Sequence, residues 1–320
     1  MRHSITSGLS AFTGAVLLLT PVLASTRHAA TKAMPRSPQA SSEAAPDRNA
    51  YEFRTIDVPG GFYTNISAIS NGRLAVGNYC TDVNCNAMQS FLWRQGKLVP
   101  LVYVAEIVYM FDINNVGFAF GTVGSSEITH AAVFQVSTWT WTLLPDVPQK
   151  PMNYGFRMNE TGLAVGQACE GNWAVSTNCV GWIWDGKAYT FAPVFPGTSA
   201  NWTGTICIND WRQLAGQFLD TSGHLRGYIA YGTQITRVDV PGASDTRAND
   251  NNDLGHVLFD GFFTDGSNQV YMWRDSVLTP LPSVEGAVNT YSFGINEVED
   301  YTGAWYDTNG AAHGFIAFHK

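Results

Sequence analysis

One phrase returns along this chain: an apolar residue, Asn, a turn, then a short strand ending near Gly. The copies are "AISNGRLAVG", "DINNVGFAFG", "RMNETGLAVG", "CINDWRQLAG" and "GINEVEDYTG", anchored at Ser70, Asn114, Asn159, Asn209 and Asn296. The stretch "RANDNNDLGHVLFDG" fills the long gap with a further copy, anchored at Asn249, and the spacings become 44, 45, 50, 40 and 47 residues. A period near 45 residues marks a repeat architecture, in which each unit buries its apolar faces against its neighbours.

Each copy continues alike. After the anchor strand comes a polar turn such as "DTSG", "TDGS" or "DTNG", then an aromatic strand such as "SFLWRQG", "GWIWDG" or "VYMWRD", then a closing strand such as "LVPLV" or "RVDVP". Four short strands at this period describe one propeller blade. The sequence therefore predicts an all-β, six-bladed β-propeller of four-stranded blades. The last copy stops at "GFIAFHK", before its fourth strand, while "YEFRTIDVPG" stands spare near the start and matches "TRVDVPGA". The N-terminal strand Phe53–Val58 is thus expected to complete the last blade and close the ring, leaving no open sheet edges. Composition agrees: 45% hydrophobic residues, 14% charged and 31 Gly in 320 residues suit a turn-rich β protein with an ample core.

The phrases "TIDVPGG", "RVDVPGASDTRAND" and "FGINEVEDYTGAWYDTNGAAHGF" resemble the HAF family of secreted bacterial repeat proteins. The resemblance runs from about Tyr51 to Lys320 and is weakest in the second and third copies. It implies secretion and a propeller-like fold, and no settled activity.

The first residues read as a targeting segment. Arg2 and His3 precede "LSAFTGAVLLLTPVLA", with small residues for cleavage at Ala24. Residues 1–24 are the expected signal peptide, 25–50 a flexible linker, and 51–320 a single propeller domain, secreted or periplasmic. A membrane anchor is the rival reading of the apolar run, disfavoured by Pro21 and the polar stretch that follows. A net charge of −8 without a basic run disfavours nucleic acid as partner.

Counting back from each anchor gives two alternating faces of the inner strand. One and three residues back lie mostly apolar side chains, expected to pack between blades. Two and four back lie Asp112, Arg157, Arg247 and Asp245 among smaller residues, the expected channel face. These charges read either as an ion-pair network plugging the channel or as a grip on an anionic ligand, Arg157 and Arg247 suiting a carboxylate. Tyr109, Tyr154 and Tyr291 each stand five residues before an anchor. They read as rings packed between blades or as groups at the channel mouth able to move protons. His256 takes the position held by Gly77, Gly121, Gly166, Gly216 and Gly303 in the other copies, so it reads as drift or as a side chain aimed into a cleft.

Cys80 and Cys169 occupy equivalent places, three residues past the repeat Gly, and each has a partner in the following loop. Disulfides Cys80–Cys85 and Cys169–Cys179 are predicted, with Cys207 left as a buried thiol. No metal or other cofactor is predicted. Asp250, Asn252 and Asp253 offer oxygens for calcium, but their spacing departs from the EF-hand loop, and turn formation is the simpler reading.

Two functions follow. One is an enzyme on extracellular acidic polysaccharide, with Arg157 and Arg247 on a uronate, Tyr154, Tyr291 or His256 moving the proton, and Asp112, Asp245 and Tyr109 holding substrate. A lyase fits this set better than a glycoside hydrolase, for which Asp112 and Asp245 are the only carboxylate pair. The other is a non-catalytic propeller that binds carbohydrate or protein. An extracellular glycan or small molecule is the expected partner, and the chain the expected monomer.

Overall fold

The computed structural model describes residues 39–40, 46–191 and 203–320. The predicted signal peptide lies outside the described residues, as does most of the predicted linker. Within the latter, Gln39–Ala40 lie parallel to Val277–Leu278, and Arg48–Ala50 form a 3-10 turn capped by the Asp47 side chain. Among the described residues no helix is long and apolar enough to cross a membrane.

The fold is all-β. Strands come in successive antiparallel units of four, each unit ordered as it runs in the chain; the first three are joined into one sheet of twelve strands by single parallel bridges, Met88 with Ile107 and Thr129 with Met152. The first strands of the units are Phe62–Ile69, Ile107–Ile113, Met152–Met158, Thr203–Ile208, Asp245–Asn251 and Asn289–Ile295. The last unit takes its fourth strand from the other end of the chain. Tyr51–Ile56 pairs antiparallel with Ala312–His319, from Tyr51 opposite His319 to Ile56 opposite Gly314. Each first strand contacts the next, and Asn289–Ile295 contacts Phe62–Ile69. The main apolar clusters are slabs between neighbouring units. Ile66 and Phe91 meet Ile316, Met110 meets Leu92, Phe120 meets Trp182, and Tyr301 meets Leu258. This division follows from the pleat, because a sheet buried on both faces needs a neighbour on each.

The repeated Asn has two tasks. Its Oδ1 accepts the N–H four residues on, closing its own turn, as Asn114 does for Phe118 at 2.9 Å and Asn209 for Gln213 at 2.9 Å. Its Nδ2 donates to the anchor carbonyl of the next unit: Asn159 to Asn209 at 3.1 Å, Asn209 to Asn252 at 2.9 Å, Asn252 to Asn296 at 2.8 Å and Asn296 to Ser70 at 3.1 Å. A second chain of bonds joins the residues just after the anchors. The N–H of Asn71 reaches Asn115, then Asn115 to Glu160, Glu160 to Asp210, Asp210 to Asp253, Asp253 to Glu297, and Glu297 back to Asn71.

These bonds correct the register of the fifth copy. Its anchor is Asn252, not Asn249, and the spacings become 44, 45, 50, 43 and 44. The third residue after each anchor has positive φ: Arg73, Gly117, Gly162, Arg212, Gly255 and Glu299. Gly255 at φ 82 is the glycine that fits this turn without strain. His256 accordingly does not stand in the Gly position; Phe259 does, opposite Ala248.

Candidate functional site: an aromatic cavity at the strand-start mouth

Each first strand carries a β-bulge three residues before its anchor, where the register with the second strand slips between Ile66 and Ala68, Met110 and Asp112, Gly155 and Arg157, Thr205 and Cys207, Ala248 and Asp250, and Ser292 and Gly294. One extra residue reverses the alternation beyond it. The expected faces therefore exchange over the first half of the strand. The residues three and five before the anchor line a cavity of about 270 Å³, while four of those two before it, Ala68, Asp112, Arg157 and Asp250, line a depression at the opposite, anchor end.

The outer row of the cavity is Asn65, Tyr109, Tyr154, Gly204, Arg247 and Tyr291. The floor row is Ser67, Phe111, Phe156, Ile206, Asn249 and Phe293. Corrected by three residues, Arg247 joins the tyrosine row instead of the row of Asp112 and Arg157. Rings meet around the bowl in tilted or edge-to-face pairs: Tyr109 and Phe111 with centroids 4.6 Å apart, Phe111 and Phe156 at 5.3 Å, Tyr154 and Trp173 at 5.6 Å and Tyr291 and Tyr306 at 5.6 Å. The Tyr109 hydroxyl accepts from Asn65 Nδ2 at 2.9 Å, and that of Tyr154 is bonded to Ser176 Oγ at 2.9 Å. Burial pushes the phenols of Tyr109, Tyr154 and Tyr291 above their ordinary range. The three tyrosines thus reach the mouth, and their rings also pack.

Both predicted cysteine pairs stand at disulfide distance, with Cα atoms 4.9 Å apart for Cys80–Cys85 and 4.0 Å for Cys169–Cys179. They border the cavity. Cys80 and Cys85 line it directly, and the loop between Cys169 and Cys179 carries Trp173 and Ser176 into its wall. Cys207 is a buried free thiol, pushed well up by burial.

Arg157 closes the cavity from below. Its Nε donates to Asp250 Oδ1 at 2.9 Å, and its terminal nitrogens donate to the carbonyls of Phe111, Phe156, Asn249 and Phe293, four of the six bulge residues. Asp250 Oδ2 accepts the Ile295 N–H at 3.0 Å, and Asp112 Oδ2 accepts that of Met158 at 2.8 Å. Burial, with Asp250 beside it, pushes the Asp112 carboxyl up to about 7, although the Arg157 charge opposes the shift. Of the two readings of these charges, the geometry is that of the plug: Asp112, Arg157 and Asp250 tie four units together on the axis.

Arg247 is different. Its Nε is buried with no hydrogen-bond partner, and no carboxylate oxygen of the described residues lies within 4.0 Å of it. Its guanidinium sits 5.1 Å from the Phe262 ring centroid, and burial lowers its pKa. The other predicted site residues lie elsewhere. Asp245, at the start of its strand, accepts the Leu225 N–H at 2.8 Å and stands 3.6 Å from His224, off the channel. His256 lies at the anchor end, 3.1 Å from Glu299. The oxygens considered for calcium do not converge: Asp250 faces Arg157, Asn252 closes its own turn, and Asp253 accepts the Asp210 N–H at 2.8 Å. Sequence reasoning missed Gly204 and the floor row. The bulge that turns the floor row inward leaves no mark in the residue pattern. The pattern Asn-x-x-Gly, shared by Asn114, Asn159 and Asn252, was the available signal for the fifth register.

Asp260 is a second buried carboxyl, pushed up to about 7 by burial while it accepts from Ser292 N and Oγ. Between about pH 4 and pH 7 the folded chain keeps the Asp112 and Asp260 protons that the unfolded chain has lost, so stability falls as pH rises through that window. The chain is expected to melt higher near pH 5 than near pH 8, and Asp260→Asn to flatten part of that slope. Thermal unfolding across this range checks it; a slope of opposite sign contradicts it.

No family model matches the chain, and no curated protein matches its sequence. Among solved structures it is similar to a gluconolactonase from Xanthomonas campestris, at TM-score 0.52 and 11% identity over 90% of this chain and 96% of that one. It is also similar to a fucose-specific lectin from Aleuria aurantia, at TM-score 0.51 and 11% identity over 80% and 93%. An acylaminoacyl peptidase from Pyrococcus horikoshii aligns at TM-score 0.50 and 10% identity, over 80% of this chain and 51% of that one. Identities this low carry the fold alone, an all-β architecture of propeller type.

Proposed function

We propose that residues 51–320 form one six-bladed β-propeller, closed by the N-terminal strand, that binds a carbohydrate in the strand-start cavity without chemistry. The cavity itself carries the reading: a bowl of aromatic rings around a few polar groups, one of them an arginine whose buried Nε has no hydrogen-bond partner. Aromatic faces take the apolar faces of sugar rings, and the polar groups fix orientation. At about 270 Å³ the space suits a sugar residue rather than a whole chain. Binding is favoured over elimination or hydrolysis because, among the described residues, no Asp, Glu, His or Lys lines the cavity, and burial pushes its tyrosines above their ordinary range. The described lining thus offers no general base poised near neutral pH. The paired cysteines and the apolar leader support a protein exported to an oxidising compartment, secreted or periplasmic, and the HAF-type phrases fit the same picture. The lectin relative illustrates that an architecture of this type serves sugar binding; the assignment rests on the cavity.

Calorimetric titration with a panel of neutral and acidic saccharides tests this. Saturable binding without product is expected, and Tyr291→Ala should weaken it roughly 2–10-fold, the worth of one stacked ring. Failure of every saccharide to bind, or an affinity indifferent to Tyr291→Ala, contradicts it.

A further inference from the structure

We propose that the saccharide carries a carboxylate: a uronate residue seated over Gly204, with its carboxylate on Arg247 and a hydroxyl on Gln217. This rests on the cavity being a carbohydrate site. Five of the six units place a side chain in the outer row; the fourth has Gly204. Packing does not demand that glycine. A Cβ built there meets nothing nearer than Ile206 Cδ1 at 3.8 Å and the Gln217 carbonyl at 3.9 Å, and its φ lies outside the left-handed region. A Cβ would sit there in ordinary contact, so the missing side chain leaves a gap in the wall of the bowl that packing does not require.

Two buried polar atoms without hydrogen-bond partners border that gap, Arg247 Nε and Gln217 Oε1. Gln217 lies opposite Gly204 in the register of the fourth unit, and Arg247 is in the next first strand, which contacts that of Gln217. Asp260, opposite Arg247 in the register, and Asp245 act on its charge only through space, neither in ion-pair contact; the buried Nε left without a hydrogen bond is unfavourable, and a ligand carboxylate relieves it with charge-assisted bonds. The neighbouring Oε1 is an acceptor without a partner, which a sugar hydroxyl can supply. The other lining arginine, Arg157, is already held by Asp250 and four carbonyls. One available positive charge beside an acceptor fits a monoanionic hydroxylated ring better than a phosphate monoester, which carries close to two negative charges.

The full chain is titrated with trigalacturonate and with neutral α-1,4-galactotriose. The acid is expected to bind at least roughly tenfold more tightly. Arg247→Gln should abolish that preference, so that acid and neutral sugar bind it with equal affinity, and Arg247→Lys should keep part of the preference, so a folding defect in one variant does not decide the matter. Gly204→Leu, which fills the gap, should weaken both ligands. Equal or tighter binding of galactotriose, or a preference that survives Arg247→Gln, overturns this inference and leaves the cavity as a neutral-sugar site. Binding of neither probe overturns it together with the site.

Discussion

A chain beginning after Ile56 is expected to lose cooperative folding. Tyr51–Ile56 supplies the fourth strand of the last unit, and its Tyr51 and Ile56 are buried, 6% exposed each, in the two apolar slabs that flank that unit. Removing it exposes the edge of Ala312–His319 and the packed rings of Phe315 and Tyr301. Losing two or three large buried side chains costs on the order of 5 kcal/mol, before the ladder hydrogen bonds are counted, and whole domains are stable by only about 5–15 kcal/mol. Far-ultraviolet circular dichroism on heating should show a broad, early transition in the truncated protein. A sharp transition at the temperature of the intact chain would mean that the strand is an ornament on a structure that closes without it.

Asp250→Ala is expected to destabilise the fold by about 3–5 kcal/mol, because it leaves a buried guanidinium without its hydrogen-bonded partner. Arg157 and Asp250 have side chains only 6% and 9% exposed, so solvent screens the charge little. Asp250→Asn should lose much less. Burial, with the Asp250 charge beside it, keeps the proton on Asp112; neutralising Asp250 removes one of these causes while the Arg157 charge still favours the ionised form, so Asp112 is the counter-ion in reserve. The double change Asp112→Asn with Asp250→Asn removes this reserve and should lose more than the two single changes added. Urea unfolding of the set measures these differences. Equal, small losses throughout would show that Arg157 is held by the Phe111, Phe156, Asn249 and Phe293 carbonyls alone.

Much of the fold could be read before any coordinates. The Asn anchors and their period announced units of four strands, and the stray "TIDVPG" near the start matched the missing strand at the end. Strand and turn chemistry are local, so they leave marks in sequence. The site was less legible, for three physical reasons. The Asn-rich stretch around Asn249–Asn252 offers several residues able to close a turn, and only the bond from Asn209 to the Asn252 carbonyl selects among them. A bulge costs one residue and changes no residue type, so the exchange of faces at Phe111, Phe156 and Phe293 was invisible. The gap over Gly204 is made by an absence, which pattern reasoning counts as noise. Tyr109, Tyr154 and Tyr291 were found because a fixed offset from the anchor survives all three difficulties. Arg247 was named in the wrong row, yet lies at the cavity.

The central claim is that an intact saccharide sits in the aromatic bowl at the strand-start mouth. A crystal structure of the chain soaked with trigalacturonate tests it most directly. The account predicts an unbroken sugar against Tyr154, Tyr291 and Trp173, over Gly204, with its carboxylate on Arg247. Sugar at the anchor end or on the outer edges of the units, or a cleaved product in the bowl, would contradict it.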